Sequence, residues 1–287
     1  MNDKCYEVLQ RASLFLEKAG REPKVAEILL LHHLQITKEK LLMRWRDSID
    51  KNTIEAFEKD IFTHVETGVP VQHLTKVEHF YGREFEVNQH VLIPRPETEE
   101  LVQQVIQQAH TMDKPLTIVD VGTGSGVIAI TLALELAGSR VFATDISDKA
   151  LSVAKRNAQA LQAEVTFLEG NFLEPFLGLN QTADIVVSNP PYIPSSKSEE
   201  LQDTVKNFDP ELALFAENNG LAAYHAILRQ MQTMKLSEQS ILAFEIGFDQ
   251  SAAITNMIRQ NLPSREVCTI KDINEKDRIL LANVIKG

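Results

Sequence analysis

Apolar residues in the first 65 positions recur at helical spacing: Leu9, Leu14 and Leu16, then Val25, Ala26, Leu29 and Leu30, then Ile54, Phe57 and Ile61. That spacing lines one face of successive helices and predicts a small helical bundle. The break at Gly20–Pro23, the polar stretch RDSIDKN and the TGVP punctuation at 67–70 separate its helices and set a boundary near residue 70. From 71 to 96 apolar and polar residues alternate around Gly82, as in HFYGREFEVNQHVLIPRPE, and predict an extended, hairpin-like linker. After Pro96 the run ETEELVQQVIQQAH opens on acids and then shows an apolar face of Leu101, Val102, Val105 and Ile106, the pattern of a helix start.

Beyond Leu116 short apolar runs alternate with amphipathic ones. Strands are predicted at Thr117–Val121, Arg140–Thr144, Glu164–Leu168, Asp184–Ser188, Ser240–Ile246, Val267–Ile270 and Ile279–Val284. Helices are predicted from about Ser125, over Ser147–Leu161, over Leu221–Met234 and over Gln250–Asn261. This alternation means βαβ units: an α/β domain over residues 97–287, with a mainly parallel seven-stranded sheet and helices on both faces. It follows the helical domain of residues 1–70 and the linker of residues 71–96.

Composition narrows the setting. A chain of 287 residues, 44% of them hydrophobic, can bury one large core and one small one. The apolar runs near Ile128 and Ile241 fall short of the roughly 20 residues a membrane span needs. The start MNDKCYEVLQ has no charged-then-apolar signal pattern, so a cytoplasmic protein without a membrane partner is expected. Cys5 and Cys268 are too few for a disulfide framework or a zinc site, and no metal is expected. Residues 1–70 hold 11 Lys and Arg against 12 Asp and Glu, and the rest 18 against 28, so most of the net charge of −11 sits in the larger portion. No basic stripe suited to phosphates is visible, which tilts the partner toward a protein or a small molecule rather than nucleic acid.

Ligands on such a sheet bind beyond the carboxyl ends of the strands. The loop after Val121, in TIVDVGTGSGVIAI, carries Gly122, Gly124 and Gly126 with Thr123 and Ser125 between them. Its glycines allow a tight turn and close approach of backbone N–H groups to a nucleotide-like ligand, although a plain βα turn would look similar. Val127 stands where a dinucleotide fingerprint needs glycine or alanine, so a pyrophosphate site fits poorly. Asp145 follows the strand RVFAT, about 20 residues past the glycines, where a carboxylate can accept both ribose hydroxyls of an adenosine. Capping the next helix is its other reading, and Ser147 serves that equally well. In LEGNFLEPF, Asn171 and Phe172 offer a polar group and an aromatic plane for adenine, with a core position the equal alternative for Phe172.

The stretch ADIVVSNPPY puts Asn189 at the end of a central strand, with Pro190 and Pro191 stiffening the turn and Tyr192 after them. The side-chain carbonyl of Asn189 and the backbone carbonyl of Pro190 can converge on one NH₂ group while Tyr192 covers its flat face. Fixed acceptors on both N–H groups stabilise an amide nitrogen as it gains positive character and aim it for in-line displacement.

The glycine spacing after Asp120 resembles the first motif of class I S-adenosylmethionine-dependent methyltransferases, and NPPY at 189–192 is similar to the motif of those that modify nitrogen conjugated to a planar system. The stretch GVPVQHLTKVEHFYGREFEVNQHVLIPRPETEELV, at 68–102, resembles the linker and IPRPETE signature of the HemK-type protein-(glutamine-N5) methyltransferases. AEILLLHHL near the amino terminus and KDINEKDRILLA near the carboxyl terminus are similar to the same branch. The resemblance implies the class I methyltransferase fold. It implies methylation of the glutamine in the Gly-Gly-Gln motif of class 1 peptide chain release factors, with S-adenosyl-L-methionine as cofactor and S-adenosyl-L-homocysteine as product. It places Gly122–Gly126, Asp145, Phe172 and Asn189 at the cofactor, and Asn189, Pro190, Pro191 and Tyr192 at the glutamine. Family members often carry an acid where this chain has Asn171. Arg95 and Glu97 would order the linker or the cofactor entrance, and the helical bundle of an expected monomer would contact the protein substrate. The rivals are a sister group acting on a ribosomal protein, an adenine-amino DNA or RNA methyltransferase, and a non-catalytic cofactor-binding regulator, for which the intact clamp is unsuited.

Overall fold

The computed structural model describes residues 3–112, 115–200 and 203–284, which divide into two compact units, one of residues 3–77 with 203–208 and one holding the remainder.

The first unit is helical: α1 (Cys5–Lys18), α2 (Lys24–Leu34), α3 (Lys38–Met43), α4 (Lys51–Thr67) and α5 (Val71–Thr75). The Asp50 side chain accepts from the Thr53 N–H at 3.0 Å to start α4, and Gly68, at φ 74°, ends it. The core collects Val8, Leu16, Leu29, Leu30, Phe57 and Ile61 as the spacing predicts. Leu14 departs from it: the buried stripe of α1 runs Cys5, Val8, Ala12, Leu16, which turns Leu14 outward at 48% exposure. Residues 71–75 form a helix where extended chain is expected. A short helix far along the chain, Asp203–Lys206, joins this unit through the Arg21–Asp203 ion pair at 2.9 Å.

The second unit begins at Glu78, within a hairpin of β1 (Val77–Phe80) and β2 (Arg83–Glu86). Tyr81 and Gly82, at φ 50° and 73°, make the left-handed two-residue turn that matches strand twist. Then come α6 (Pro96–Ala109), β3 (Thr117–Val121), α7 (Val127–Glu135), β4 (Arg140–Asp145), α8 (Asp148–Leu161), β5 (Val165–Glu169), α9 (Glu174–Leu177) and β6 (Ala183–Ser188). A block of short pieces follows: β7 (Ile193–Pro194), a 3₁₀ turn at 195–200, the helix Asp203–Lys206 of the first unit, here α10, then α11 (Glu211–Leu214), β8 (Phe215–Ala216) and the irregular turn α12 (Glu217–Gly220). The chain closes with α13 (Ala222–Met231), β9 (Leu236–Glu245), α14 (Ser251–Asn261), β10 (Arg265–Lys271) and β11 (Asp277–Val284).

The sheet is a mostly parallel seven-stranded one in the order β10-β11-β9-β6-β3-β4-β5, with β11 antiparallel to both its neighbours. Each strand alternates its side chains between two cores. Ile118, Val141, Ile185, Val187, Ala243 and Leu281 meet α6 and α7 on one face, and Val119, Val121, Val186, Leu242, Phe244 and Leu280 meet α13 and α14 on the other. β3 is therefore buried along its whole length and reads as an almost unbroken apolar run. The strand order reverses between β3 and β6, and a crevice opens at their carboxyl ends.

Asn157 of α8 ties the hairpin to this crevice. Its Oδ1 accepts from the Glu86 N–H at 2.7 Å, and its Nδ2 donates to the Glu86 and Ser125 carbonyls at 3.0 and 2.9 Å. Asn157→Leu keeps the volume but leaves those backbone groups without partners. We expect it to lower the unfolding free energy by about 2–4 kcal/mol, read from the urea midpoint at unchanged slope.

Candidate active site

The crevice holds a cavity of about 490 Å³. Its floor is the loop after β3, where Gly122, Gly124 and Gly126 sit at φ 74°, 55° and 85°. The glycines differ in what they permit. A Cβ on Gly122 or Gly124 would meet nothing within 4 Å, whereas one on Gly126 would lie 2.8 Å from Ile130 Cδ1 and 3.1 Å from Ala154 Cβ. The first two clear room for a ligand against bare backbone, and the third lets α7 pack on α8. Ser125 and Thr123 are buried in the same turn and line the cavity.

Two carboxylates brace the loop. Asp120, wholly buried on β3, accepts from the Thr123 hydroxyl at 2.6 Å and the Ala129 N–H at 3.2 Å through Oδ2, while Oδ1 has no partner. Burial pushes its pKa up to about 7 against those two hydrogen bonds, and the nearby Asp145 charge adds to the rise. Asp145 ends β4 and lines the cavity. Its Oδ2 accepts from the Gly124 N–H and its Oδ1 from the Ser147 N–H, each at 2.9 Å, and burial again raises its pKa. Ser147, accepting from the Ala150 N–H at 3.1 Å, is the cap of α8, so Asp145 is free of that duty. Asn171 and Phe172 also line the cavity. Phe172 joins both of its expected settings, since it borders the cavity and packs against the core beside α13.

Asn189, Pro190 and Pro191 also line the cavity. The Ser188 hydroxyl donates to the Val121 carbonyl at 2.6 Å and locks the ends of β6 and β3 together. Tyr192 differs from the expectation of a cover over the cavity: it is not among the lining residues, and its ring packs into the apolar layer with the hydroxyl 3.5 Å from Glu245 Oε1. The reason lies behind the turn. Gln250 donates to the Tyr192 carbonyl at 3.0 Å, and Gly220 passes so close that a Cβ there would lie 2.0 Å from that oxygen.

Several lining residues escape sequence reasoning. His90, Leu92 and Pro94 of the linker and Leu212, Phe215 and Glu217 of the block after β7 all face the cavity. The Arg95–Asp209 ion pair, at 3.0 Å, fastens the start of α6 to that block, with the Asp209 side chain fully buried. One signal for the block was present: Asn218, Asn219 and Gly220 are all left-handed, and Asn-Asn-Gly favours such backbone. Thr98, which lines the cavity, and Glu245, which it meets, are likewise not expected from the sequence pattern. The mark for Glu245 was an acid closing an otherwise apolar strand end, AFE.

The fold, the glycine turn and the Asn-Pro-Pro turn define a methyltransferase domain. Residues 98–208 match the family model described as the methyltransferase small domain, and residues 7–75 match the PrmC N-terminal domain. A solved T. thermophilus 16S rRNA N2 G1207 methyltransferase, in complex with AdoMet and guanosine, shares the fold at a TM-score of 0.51 and 12% identity, over 73% of this chain and 50% of its own. A Bacillus cereus protein named release factor glutamine methyltransferase is 42% identical over 98% of this chain and 99% of its own length. The Bacillus subtilis protein of that name is 42% identical over 98% of both chains. The chain belongs to the release factor glutamine methyltransferase family.

The glycines yield a paired prediction. Gly126→Ala combines a left-handed alanine with the contact on Ile130 and should cost about 2–5 kcal/mol of stability. Gly122→Ala, with open space around it, should cost only about 1–2 kcal/mol. Thermal melts of the two variants beside the parent protein read the difference.

Proposed function

We propose that this chain transfers the methyl group of S-adenosyl-L-methionine to the side-chain amide nitrogen, N5, of the glutamine in the Gly-Gly-Gln motif of class 1 peptide chain release factors. The observation that carries this reading is that Asn189 and Pro190 line the same cavity as the glycine turn and Asp145. The names borne by the full-length relatives support the same substrate.

The residues fit the cofactor on their own chemistry. Gly122 and Gly124 leave a cradle that a Cβ would fill, and Asp145 offers a carboxylate at the cavity wall. In this reading Gly122, Thr123, Gly124, Ser125 and Gly126 hold the amino-acid part, Asp145 accepts from the ribose hydroxyls, and Phe172 lies against the adenine. Asn189 stands between the two ligands. Bound there, S-adenosylmethionine supplies a methyl group on a cationic sulfur and leaves as S-adenosyl-L-homocysteine.

The chain's own work is to hold the amide. Asn189 Oδ1 and the Pro190 carbonyl accept its two N–H groups, Pro191 stiffens the turn, and Tyr192 supports the turn from the apolar layer it packs into. Both acceptors grow stronger partners as the nitrogen becomes cationic, which stabilises the transition state more than the ground state. One N–C bond forms, one C–S bond breaks, and the excess proton passes to water. Residues 1–70 serve as the substrate-recognition domain and 71–96 as the linker. The acidic balance supports a protein substrate over nucleic acid. The setting is a monomer in the cytoplasm, where translation terminates.

Labelled methyl transfer tests this with a class 1 release factor, its Gly-Gly-Gln→Gly-Gly-Ala variant, a ribosomal protein fraction and duplex DNA offered side by side. Label on the release factor alone, absent from the variant, is expected, and label on any other substrate instead would replace the assignment. Asn189→Ala should lower kcat by about 100-fold or more with cofactor affinity nearly kept. Asp145→Ala should raise the cofactor Kd by about 10- to 100-fold.

A further inference from the structure

Behind the Asn189 turn lies a buried chain of polar groups drawn from separate elements. Asn189 Nδ2 donates to Thr98 Oγ1 at 3.1 Å, and Thr98 Oγ1 donates to Glu245 Oε2 at 2.7 Å. Thr98 sits in the first turn of α6 at 3% exposure, and Glu245 ends β9 at 1%. Among the described residues, Asn189 Oδ1 takes no hydrogen bond from the protein.

The direction of this chain is not arbitrary. An ionised carboxylate only accepts, so the single Thr98 proton must point at Glu245. Thr98 can then offer only a lone pair to Asn189, and only the NH₂ end of that amide can answer it. The carbonyl end is left facing the cavity. A free asparagine amide has no such preference, because a half-turn exchanges its two ends at small cost. An inverted Asn189 would present N–H groups to the N–H groups of a substrate amide, and no bond would form.

We propose that Thr98 and Glu245 are positioning residues which fix the orientation of the Asn189 amide and thereby keep its Oδ1 as the acceptor for the substrate nitrogen. The inference rests on the amide-methylating function proposed above and adds what makes its central acceptor dependable.

The same geometry makes the orientation sensitive to one proton. Glu245 is faced by Thr98 and Glu97 from α6, by Tyr192 from the turn after β6, by Arg278 from β11, and by the Tyr224 hydroxyl, which donates to its backbone carbonyl at 2.8 Å. Burial outweighs the hydrogen bond from Thr98 and the charge of Arg278, and lifts its pKa to about 7. Once protonated, Oε2 can donate to Thr98, the Thr98 proton is released toward Asn189, and the forced direction is lost. Activity is therefore full above the pKa of Glu245 and declines as pH falls through it.

The test uses Thr98→Val, which keeps the shape but removes the hydroxyl, and Thr98→Ser, which restores it. Release-factor methylation and the ¹⁵N-labelled side-chain amide signal of Asn189 are both followed from pH 5.5 to 8.5, with Asn189→Asp assigning the signal. Thr98→Val is expected to lower kcat roughly 10- to 100-fold with KM and cofactor Kd within about twofold, and Thr98→Ser to recover most of it. The Asn189 signal should titrate near pH 7 in the parent and the serine variant and stay flat in the valine variant. A flat signal in the parent, or parental kcat in Thr98→Val, overturns the inference. Should the parent leave the release factor unlabelled, the functional reading fails, and the amide signal still decides the orientation.

Discussion

A slip of one residue between β3 and β6 would turn every side chain of β6 to the other face of the sheet, and Asn189 would leave the glycine turn. The register Ile118↔Ile185, Val119↔Val186, Asp120↔Val187 is thus the constraint on which the site depends. Burial enforces it from both faces, since Ile185 and Val187 belong to one core and Val186 to the other. A slipped β6 would present Ser188 to an apolar layer and lose the bond it donates to the Val121 carbonyl. Apolar packing therefore sets the distance between two polar turns that do not touch in sequence.

Asp120 and Glu245 are fully buried carboxylates bonded to residues that line the cavity, Thr123 and Thr98, and Arg278 faces Glu245. Burial pushes the pKa of each up to about 7. The linkage has a definite sign. Their folded pKa values exceed the unfolded ones, so between about pH 4 and pH 7 the unfolded chain gives up protons that the folded chain keeps. Their share of stability is complete at low pH and is lost as pH rises toward 7 and beyond. With both groups ionised the folded chain carries buried negative charge, which is the cost the raised pKa values express.

Legibility in the sequence follows how locally each feature is determined. The alternation of strands and helices, the glycine turn, Asp145 and the Asn-Pro-Pro turn are each written in a few consecutive residues, and the sheet forms as that pattern predicts. Strand ends shift by small amounts, as with Leu236–Glu245 against the expected Ser240–Ile246, because solvent-exposed ends such as Glu238 and Gln239 lack the apolar signal. The block from Ile193 to Gly220 carries no such pattern. Its elements are two to six residues long and hold by anchors from elsewhere, such as Arg95 on Asp209 and Gln250 on the Asn219 and Tyr192 carbonyls. Pieces that short have too few internal bonds to announce themselves. Tyr192 was legible as a residue but not as a neighbour, because its hydroxyl looks to a strand 53 positions away.

Three stretches that are far apart in the chain become one object in space. PRPET brings Thr98 at the head of α6, SNPPY brings Asn189 and Tyr192 at the end of β6, and AFEIG brings Glu245 at the end of β9. Glu245 is reached from both sides, by Thr98 at 2.7 Å and by the Tyr192 hydroxyl at 3.5 Å. Buried acids are costly unless their acceptors are filled, and this one is filled by Thr98 and Tyr192. Removing Thr98 or Tyr192 leaves Glu245 with an unmet oxygen, and removing Glu245 leaves two hydroxyls without an acceptor. The cost of an incomplete set couples the three stretches, and it adds to the apolar packing of Leu101, Val102 and Val105 of α6 with Ile241 and Ala243 of β9.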